Sequence, residues 1–255
     1  MQRPETAIII GAGRGARLAP MTDDLPKCFI EIAGKRILDW ILHALRSAGI
    51  HRIVFVGGYK IDAIRAEFPE MIFCHNEDWR NNNILASLLT ARPYMDGPFI
   101  TSYADIVYEP DAVTRLLDSP HDITLVSDTD WRSRYIGRTH HPETDAEKLR
   151  SDNGQVLEIG RPISSAEATG EFIGVGRFTR TGADRFLGAY DLASSNYDSG
   201  PFREASSLDD AYLVHLLQEM IEAGIPIHAV DIHGGYFEID TPQDHRLAKA
   251  GWNPS

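Results

Sequence analysis

The chain has 255 residues, 43% of them hydrophobic, and a formal net charge of −12, enough apolar material for one large core. That charge excludes the basic face that nucleic acid or an anionic membrane surface requires, so an anionic ligand has to be held by local cations. Two cysteines, Cys28 and Cys74, are too few for a disulfide framework, and the sequence shows neither a signal-peptide core nor an apolar run of roughly 18 residues; a soluble, cytoplasmic protein with no membrane contact is expected.

The first predicted element is a buried strand ending in Ile8-Ile9-Ile10. It runs into Gly11, Gly13 and Gly15, which let the backbone turn its N–H groups toward a ligand, as a phosphate cradle needs. Gly11-x-Gly13-x-x-Ala16 fits the loose dinucleotide-binding pattern, but Pro20 and Pro26 break any helix opening at the glycines. The strand predicted over 52–56 ends in Gly57-Gly58 rather than in an acidic ribose ligand, which weighs against an NAD-binding oxidoreductase. A Walker A loop fails too, because Lys27 follows Pro26 and precedes Cys28.

Between these segments Ile37, Leu38, Ile41, Leu42 and Leu45 recur at helical spacing and stop at Gly49. A helix over 60–68, a strand over 71–74, a helix over 84–91 and a strand over 99–102 follow, with Asp105 just beyond the last. This alternation predicts a Rossmann-like α/β fold, a mostly parallel sheet flanked by helices, with the ligand crevice at the carboxyl ends of its strands. From residue 122 the pattern changes to a strand over 123–127, a polar stretch over 128–146, and a hairpin over 148–159 that turns at Ser151-Asp152-Asn153-Gly154. A strand over 172–178, a helix over 208–223, a strand over 227–231 and a helix over 241–250 complete the chain. The expected organisation is one domain over 1–255, with a lid or cap at about 128–170, since so long a polar connector is rarely idle.

The run Gly11-Ala12-Gly13-x-Gly15-x-Arg17-Leu18-x-Pro20-x-Thr22, with Pro26-Lys27 and Gly34-Lys35, resembles the signature of the nucleotidyltransferases that make sugar nucleotides and CDP-alcohols. The resemblance continues through Asn82-Asn83 with Ser87, the 103–108 segment, Glu171-Phe172-Ile173-Gly174 and Glu238-Ile239-Asp240-Thr241-Pro242-Gln243-Asp244. The stretches ADIVYE and EIDTPQDHR look most like the small cytidylyltransferases acting on phosphocholine and phosphonates. The resemblance implies transfer of CMP from CTP to a small acceptor (phosphocholine, 2-aminoethylphosphonate or a related phosphonate), with release of pyrophosphate. A sugar-1-phosphate nucleotidyltransferase using UTP, dTTP or GTP is the same-fold alternative. A silent nucleotide-binding regulator would require loss of Lys27 or an aspartate, and all are present.

In such a transfer an acceptor oxygen attacks the α-phosphorus in line, so positioning and charge neutralisation dominate. A phosphate monoester with a second pKa of about 6 is already ionised near pH 7, and no general base is required. The resemblance implies that Arg17 grips the triphosphate and that Lys27 bridges the α-phosphate and the incoming oxygen. Gly11, Ala12, Gly13, Arg14 and Gly15 would cradle the nucleotide, with Asn83 and Ser87 as further contacts, and Asp105 and Asp240 would hold Mg²⁺. Ala104 departs from the glycine common before the metal-binding aspartate. For the acceptor, Glu171 is one candidate contact. Trp131 and Tyr135 offer aromatic faces for a quaternary ammonium, whereas Arg132, with Arg134 and Arg138, suits an anionic phosphonate. Pairing of these arginines with Asp128, Asp130 and Glu143 in solvent is the competing reading. The histidines match no usual zinc spacing, and oligomeric state is not legible.

Overall fold

The structure, a computed structural model, describes residues 4–253. In chain order the elements of the first half are β1 (Thr6–Gly11), β2 (Glu31–Ile32), β3 (Lys35–Arg36), α1 (Ile37–Ser47), β4 (Arg52–Gly57), α2 (Ile61–Glu67), β5 (Ile72–His75), α3 (Ile84–Leu89), β6 (Phe99–Tyr103), β7 (Ile106–Tyr108) and α4 (Pro110–Asp118). The second half adds β8 (Ile123–Asp128), α5 (Trp131–Tyr135), β9 (Lys148–Asp152), β10 (Gln155–Ile159), β11 (Gly170–Phe178), α6 (Arg180–Asn196), α7 (Leu213–Glu222), β12 (His228–Ile232), β13 (Tyr236–Glu238) and α8 (Pro242–Gly251).

Nine strands form one sheet in the order β5-β4-β1-β6-β11-β8-β12-β10-β9. The β5-β4-β1-β6 half is wholly parallel, as the alternating pattern predicts. Beyond it the sheet is mixed: β11 runs antiparallel to both β6 and β8, and β9 and β10 form the expected hairpin. β1 is buried along its length, and its side chains alternate between two cores. Ala7 and Ile9 join the cluster under α1, which buries Ile37, Leu38, Ile41, Leu42 and Leu45. Ile8 and Ile10 join the opposite cluster, with Leu85 of α3 and Leu217 of α7. Helices thus cover both faces of a mixed α/β sheet. No helix among the described residues is long and apolar enough to cross a membrane.

Two features escaped the sequence reading and matter for the site. β7 and β13 pair as a small antiparallel sheet, with Ile106 opposite Glu238. Asp105 precedes the one strand and Asp240 follows the other, so this pairing sets the two aspartates side by side; Ile239 N–H donates to the Asp105 carbonyl at 2.9 Å. The polar stretch after β8 is also not a loose flap. Its α5 buries Trp131 and Tyr135 in a satellite cluster with Ala146, Ile163 and Ala168, and the Tyr135 hydroxyl ties it to Glu171 of β11.

Candidate active site

The glycine loop leaves the carboxyl end of β1. A Cβ at Gly11 would lie 2.7 Å from Ala104 Cβ and 2.7 Å from the Phe55 ring, so only glycine lets the strand ends converge there. Ala104 is in turn tied to β1 by its N–H on the Ile10 carbonyl at 3.1 Å. The departure noted at Ala104 is therefore accommodated by the glycine facing it. Gly15 has φ of +69°, and a Cβ on it would sit 2.9 Å from Lys27 Cδ. Thr22 Oγ1 donates to the Gly15 carbonyl at 3.0 Å and Leu18 is fully buried, which pins the loop to the body of the protein.

Lys27 enters a single turn of 3₁₀ helix behind Pro26 and passes beneath the loop. Its Nζ donates to Asp105 Oδ2 at 2.8 Å and also to Asp240 Oδ1. Arg17 donates from one guanidinium nitrogen to Asp240 Oδ2 at 2.5 Å and from the other to Asp145 at 3.4 Å. Burial pushes the Asp240 carboxyl up, but Lys27 and Arg17 outweigh it and hold the group at about 2. Burial would lower the Lys27 ammonium, and Asp105 with Asp240 reverses that and keeps it firmly protonated. Glu238 is pushed well above the usual carboxylate range by burial and by the negative charges of Asp240 and Asp105.

Asp240 is fixed from below by the start of α8. Thr241 caps that helix, and Asp244 Oδ2 accepts from the N–H groups of Asp240 (3.2 Å) and Thr241 (2.8 Å). Arg138, from the polar stretch, is buried against the other oxygen of Asp244 at 2.6 Å. Burial works against the Asp244 anion, but His141, Arg138 and Thr241 hold its carboxyl far below the usual range.

A cavity of about 350 Å³ opens over this cluster. Gly11, Ala12, Gly13, Gly15, Arg17, Lys27, Asn83, Ser87, Asp105, Asp240 and Glu171, all singled out in the sequence, line it together. Asn83 also caps α3 by accepting from Ile84 N–H at 2.8 Å, and Ser87 accepts from Asn76 at 2.9 Å, so both are braced structurally as well. Arg14 lies outside the cavity lining, its guanidinium paired with Asp23 at 2.8 Å on the surface.

The structure also places the expected acceptor residues differently. Trp131 is 1% exposed and does not line the cavity. Tyr135 is turned behind Glu171, donating its hydroxyl to Oε1 at 2.6 Å. Arg132 is exposed and lies over the Trp131 ring. Arg134 is clamped between buried Asp128 and Glu171, and Arg138 is taken by Asp244, so neither is a solvated pair and neither lines the cavity. An aromatic cage or arginine clamp from 131–138 is therefore not assembled, because burying these side chains completes the packing behind Glu171.

Cavity-lining residues missed in the sequence include Trp79, Glu147, Arg161, Tyr212 and Tyr236. Trp79 had one available signal: a Cβ at Gly58 would come within 2.6 Å of its indole, so the glycine that follows β4 makes room for it. Glu147, Arg161 and Tyr212 fall at element edges and belong to no recognisable spacing.

The chain is 32% identical over 250 residues to the CTP:phosphoglutamine cytidylyltransferase of Campylobacter jejuni, covering 93% of this chain and 96% of that one. It is 27% identical over 184 residues to the 2-aminoethylphosphonate cytidylyltransferase of Lancefieldella rimae, covering 70% and 69%. Its fold superposes on the inositol-1-phosphate CTP transferase of T. maritima with a TM-score of 0.75 at 21% identity, over 100% of this chain and 99% of that one. Residues 7–161, from the strand that leads into the glycine loop to Arg161 in the cavity wall, match the MobA-like NTP transferase domain, and the chain belongs to that family of nucleotidyltransferases.

Proposed function

We propose that the protein is a cytidylyltransferase that moves CMP from CTP to a phosphate or phosphonate oxygen of a small acceptor and releases pyrophosphate. The observation that carries this reading is Lys27, held between Asp105 and Asp240 directly beneath the glycine loop, with Arg17 on the other side of Asp240. The choice of CTP over other nucleotides rests on the relatives named above.

A divalent cation fits the donors present. Asp105 Oδ1 is buried and accepts no hydrogen bond, an orphaned oxygen beside the Lys27 and Asp240 pair. With Asp240 it supplies the hard oxygen donors that suit Mg²⁺, which binds through one or two carboxylates plus substrate phosphates. Asp105 and Asp240 would hold the ion, and when bound it supplies charge neutralisation at the phosphates.

The chain's own residues do the rest by position and charge. Backbone N–H groups of the loop face the triphosphate, Arg17 adds a cation at its flank, and Lys27 offers a charge at the point where two polyanions must meet. Lys27 cannot serve as a base, because its two carboxylates keep it protonated. The acceptor phosphate needs none, being ionised near pH 7.

The test is a pyrophosphate-release screen crossing CTP, UTP, dTTP and GTP with small phosphates, phosphonates and glucose 1-phosphate, with Mg²⁺ and with excess chelator. CTP with a non-sugar acceptor should dominate, chelator should stop it, and Lys27→Ala should stay folded, though less stable for the loss of the cation Asp105 and Asp240 share, and lose roughly 10²–10³-fold in turnover. Preference for UTP, dTTP or GTP with the sugar phosphate, or full activity in chelator, would overturn the reading.

A further inference from the structure

Of the cations that line the cavity, Lys27 and Arg17 are already bonded to the aspartates. Arg161 is different. It follows the end of β10, where Ile159 N–H donates to Gln218 of α7 at 2.8 Å and Gly160 N–H to the Lys148 carbonyl at 2.8 Å. Its guanidinium carbon lies 3.9 Å from the centroid of the Tyr212 ring, and its Nε is buried without a hydrogen bond. Among the described residues it makes no ion-pair contact with any carboxylate. A fork of donors stacked on an aromatic plane, with one donor buried and unused, is arranged to receive a planar anion such as a carboxylate.

Glu147 lines the same end of the cavity and is 8% exposed. Tyr103 donates its hydroxyl to Oε2 at 3.0 Å, and the Glu147 carbonyl accepts from Phe172 N–H at 2.8 Å, which holds the residue on β11. Arg161 and Glu147 feel each other's charge but do not close on one another. Each is anchored by its own aromatic hydroxyl or ring, so a cation and a carboxylate lie near one another in the cavity wall without closing a salt bridge, and both stay open to a ligand. The neighbouring Glu171 is already saturated from behind by Arg134 and Tyr135.

We propose that Arg161 and Glu147 form a subsite for a zwitterion, and that the acceptor is a phosphorylated or phosphonate molecule of amino-acid type whose carboxylate meets Arg161 and whose ammonium meets Glu147. This rests on the cytidylyl-transfer reading and narrows its acceptor. A sugar phosphate offers neither charge, and phosphocholine or 2-aminoethylphosphonate offers only the cation.

The experiment compares O-phosphoserine and O-phosphohomoserine with phosphoethanolamine, which lacks the carboxylate, and 3-phosphoglycerate, which carries hydroxyl in place of the ammonium. With CTP, kcat/KM should fall roughly ten- to hundredfold when either charge is removed. In Arg161→Gln the preference for the amino acid phosphate over phosphoethanolamine should collapse through acceptor KM, with Arg161→Lys partly restoring it. In Glu147→Gln the preference over 3-phosphoglycerate should collapse. Equal or better use of the single-charge acceptors by the wild type overturns the proposal. So does an equal rise in KM for every acceptor in Arg161→Gln, which would assign that side chain to the acceptor phosphate. Should CTP support no turnover at all, the cytidylyl reading fails separately. Calorimetric binding of the amino acid phosphates then decides the subsite, which stands if binding is present and lost in Arg161→Gln and falls if it is absent or unchanged.

Discussion

Glu147→Gln should stabilise the protein at pH 8 and change little at pH 4. Burial raises this carboxyl from about 4.5 to about 7, ahead of the opposing effects of Arg161 and Tyr103. Between those values the folded chain keeps a proton that the unfolded chain has released, so folding stability falls as pH rises through that window. Above about 7 both states are ionised and the full cost persists. At about 1.36 kcal/mol per pH unit the cost reaches on the order of 3 kcal/mol. Glutamine keeps an acceptor for the Tyr103 hydroxyl and removes the charge. Urea denaturation of both proteins at pH 4 and pH 8 measures the difference; a gain that is equal at the two pH values would refute the reasoning. The same substitution should impair use of ammonium-bearing acceptors, so the stability gained is stability given up for recognition.

Two further substitutions test the framework around the cavity. Gly15→Ala would push a methyl against Lys27 Cδ at 2.9 Å at a φ of +69°, so turnover should drop by roughly tenfold or more while stability falls by about 1 kcal/mol; unchanged kcat would contradict the loop's role in placing Lys27. Arg134→Met would leave Asp128 and Glu171, both buried, without their shared cation, and should cost about 3–5 kcal/mol in denaturant unfolding at pH 7. A loss below about 1 kcal/mol would show that Arg134 is not the structural brace described here.

The parallel half of the sheet was legible because its strands are short apolar runs bounded by glycine, and α1 because its apolar positions recur with helical spacing. α6 was not, although it is the longest helix: it contains Gly182 and Gly188, and only Gly182, Ala183, Phe186 and Ala193 of its side are buried, so it carries little periodic signal. The three-residue strands β7 and β13 are too short to read, yet they bring Asp105 to Asp240. Motif residues near the glycine loop were therefore visible, since their spacing is local. Arg161 and Glu147 were not, because only the long-range pairing of β9, β10 and β11 brings them to the cavity. Arg132, Arg134 and Arg138 misled for a related reason: a dense run of arginines looks solvated or ligand-facing until buried Asp128, Glu171 and Asp244 are found around two of them.

The place of β11 in the sheet bears on how the chain can be made. β6 ends at Tyr103, but the strand that pairs with its free edge is not complete until Phe178, about 75 residues later on the ribosome. During that interval β1, β4, β5 and β6 can assemble, while β8 has been synthesised and cannot take its place beside β6 without filling the slot reserved for β11. At about 5–20 residues per second the nascent chain would carry an unpaired central edge for several seconds. A polypeptide stopped at residue 161, where the family match ends, would carry it permanently. The N-terminal part can therefore assemble only as far as an open edge, and cutting the chain there should give an aggregating fragment rather than a smaller nucleotide-binding unit.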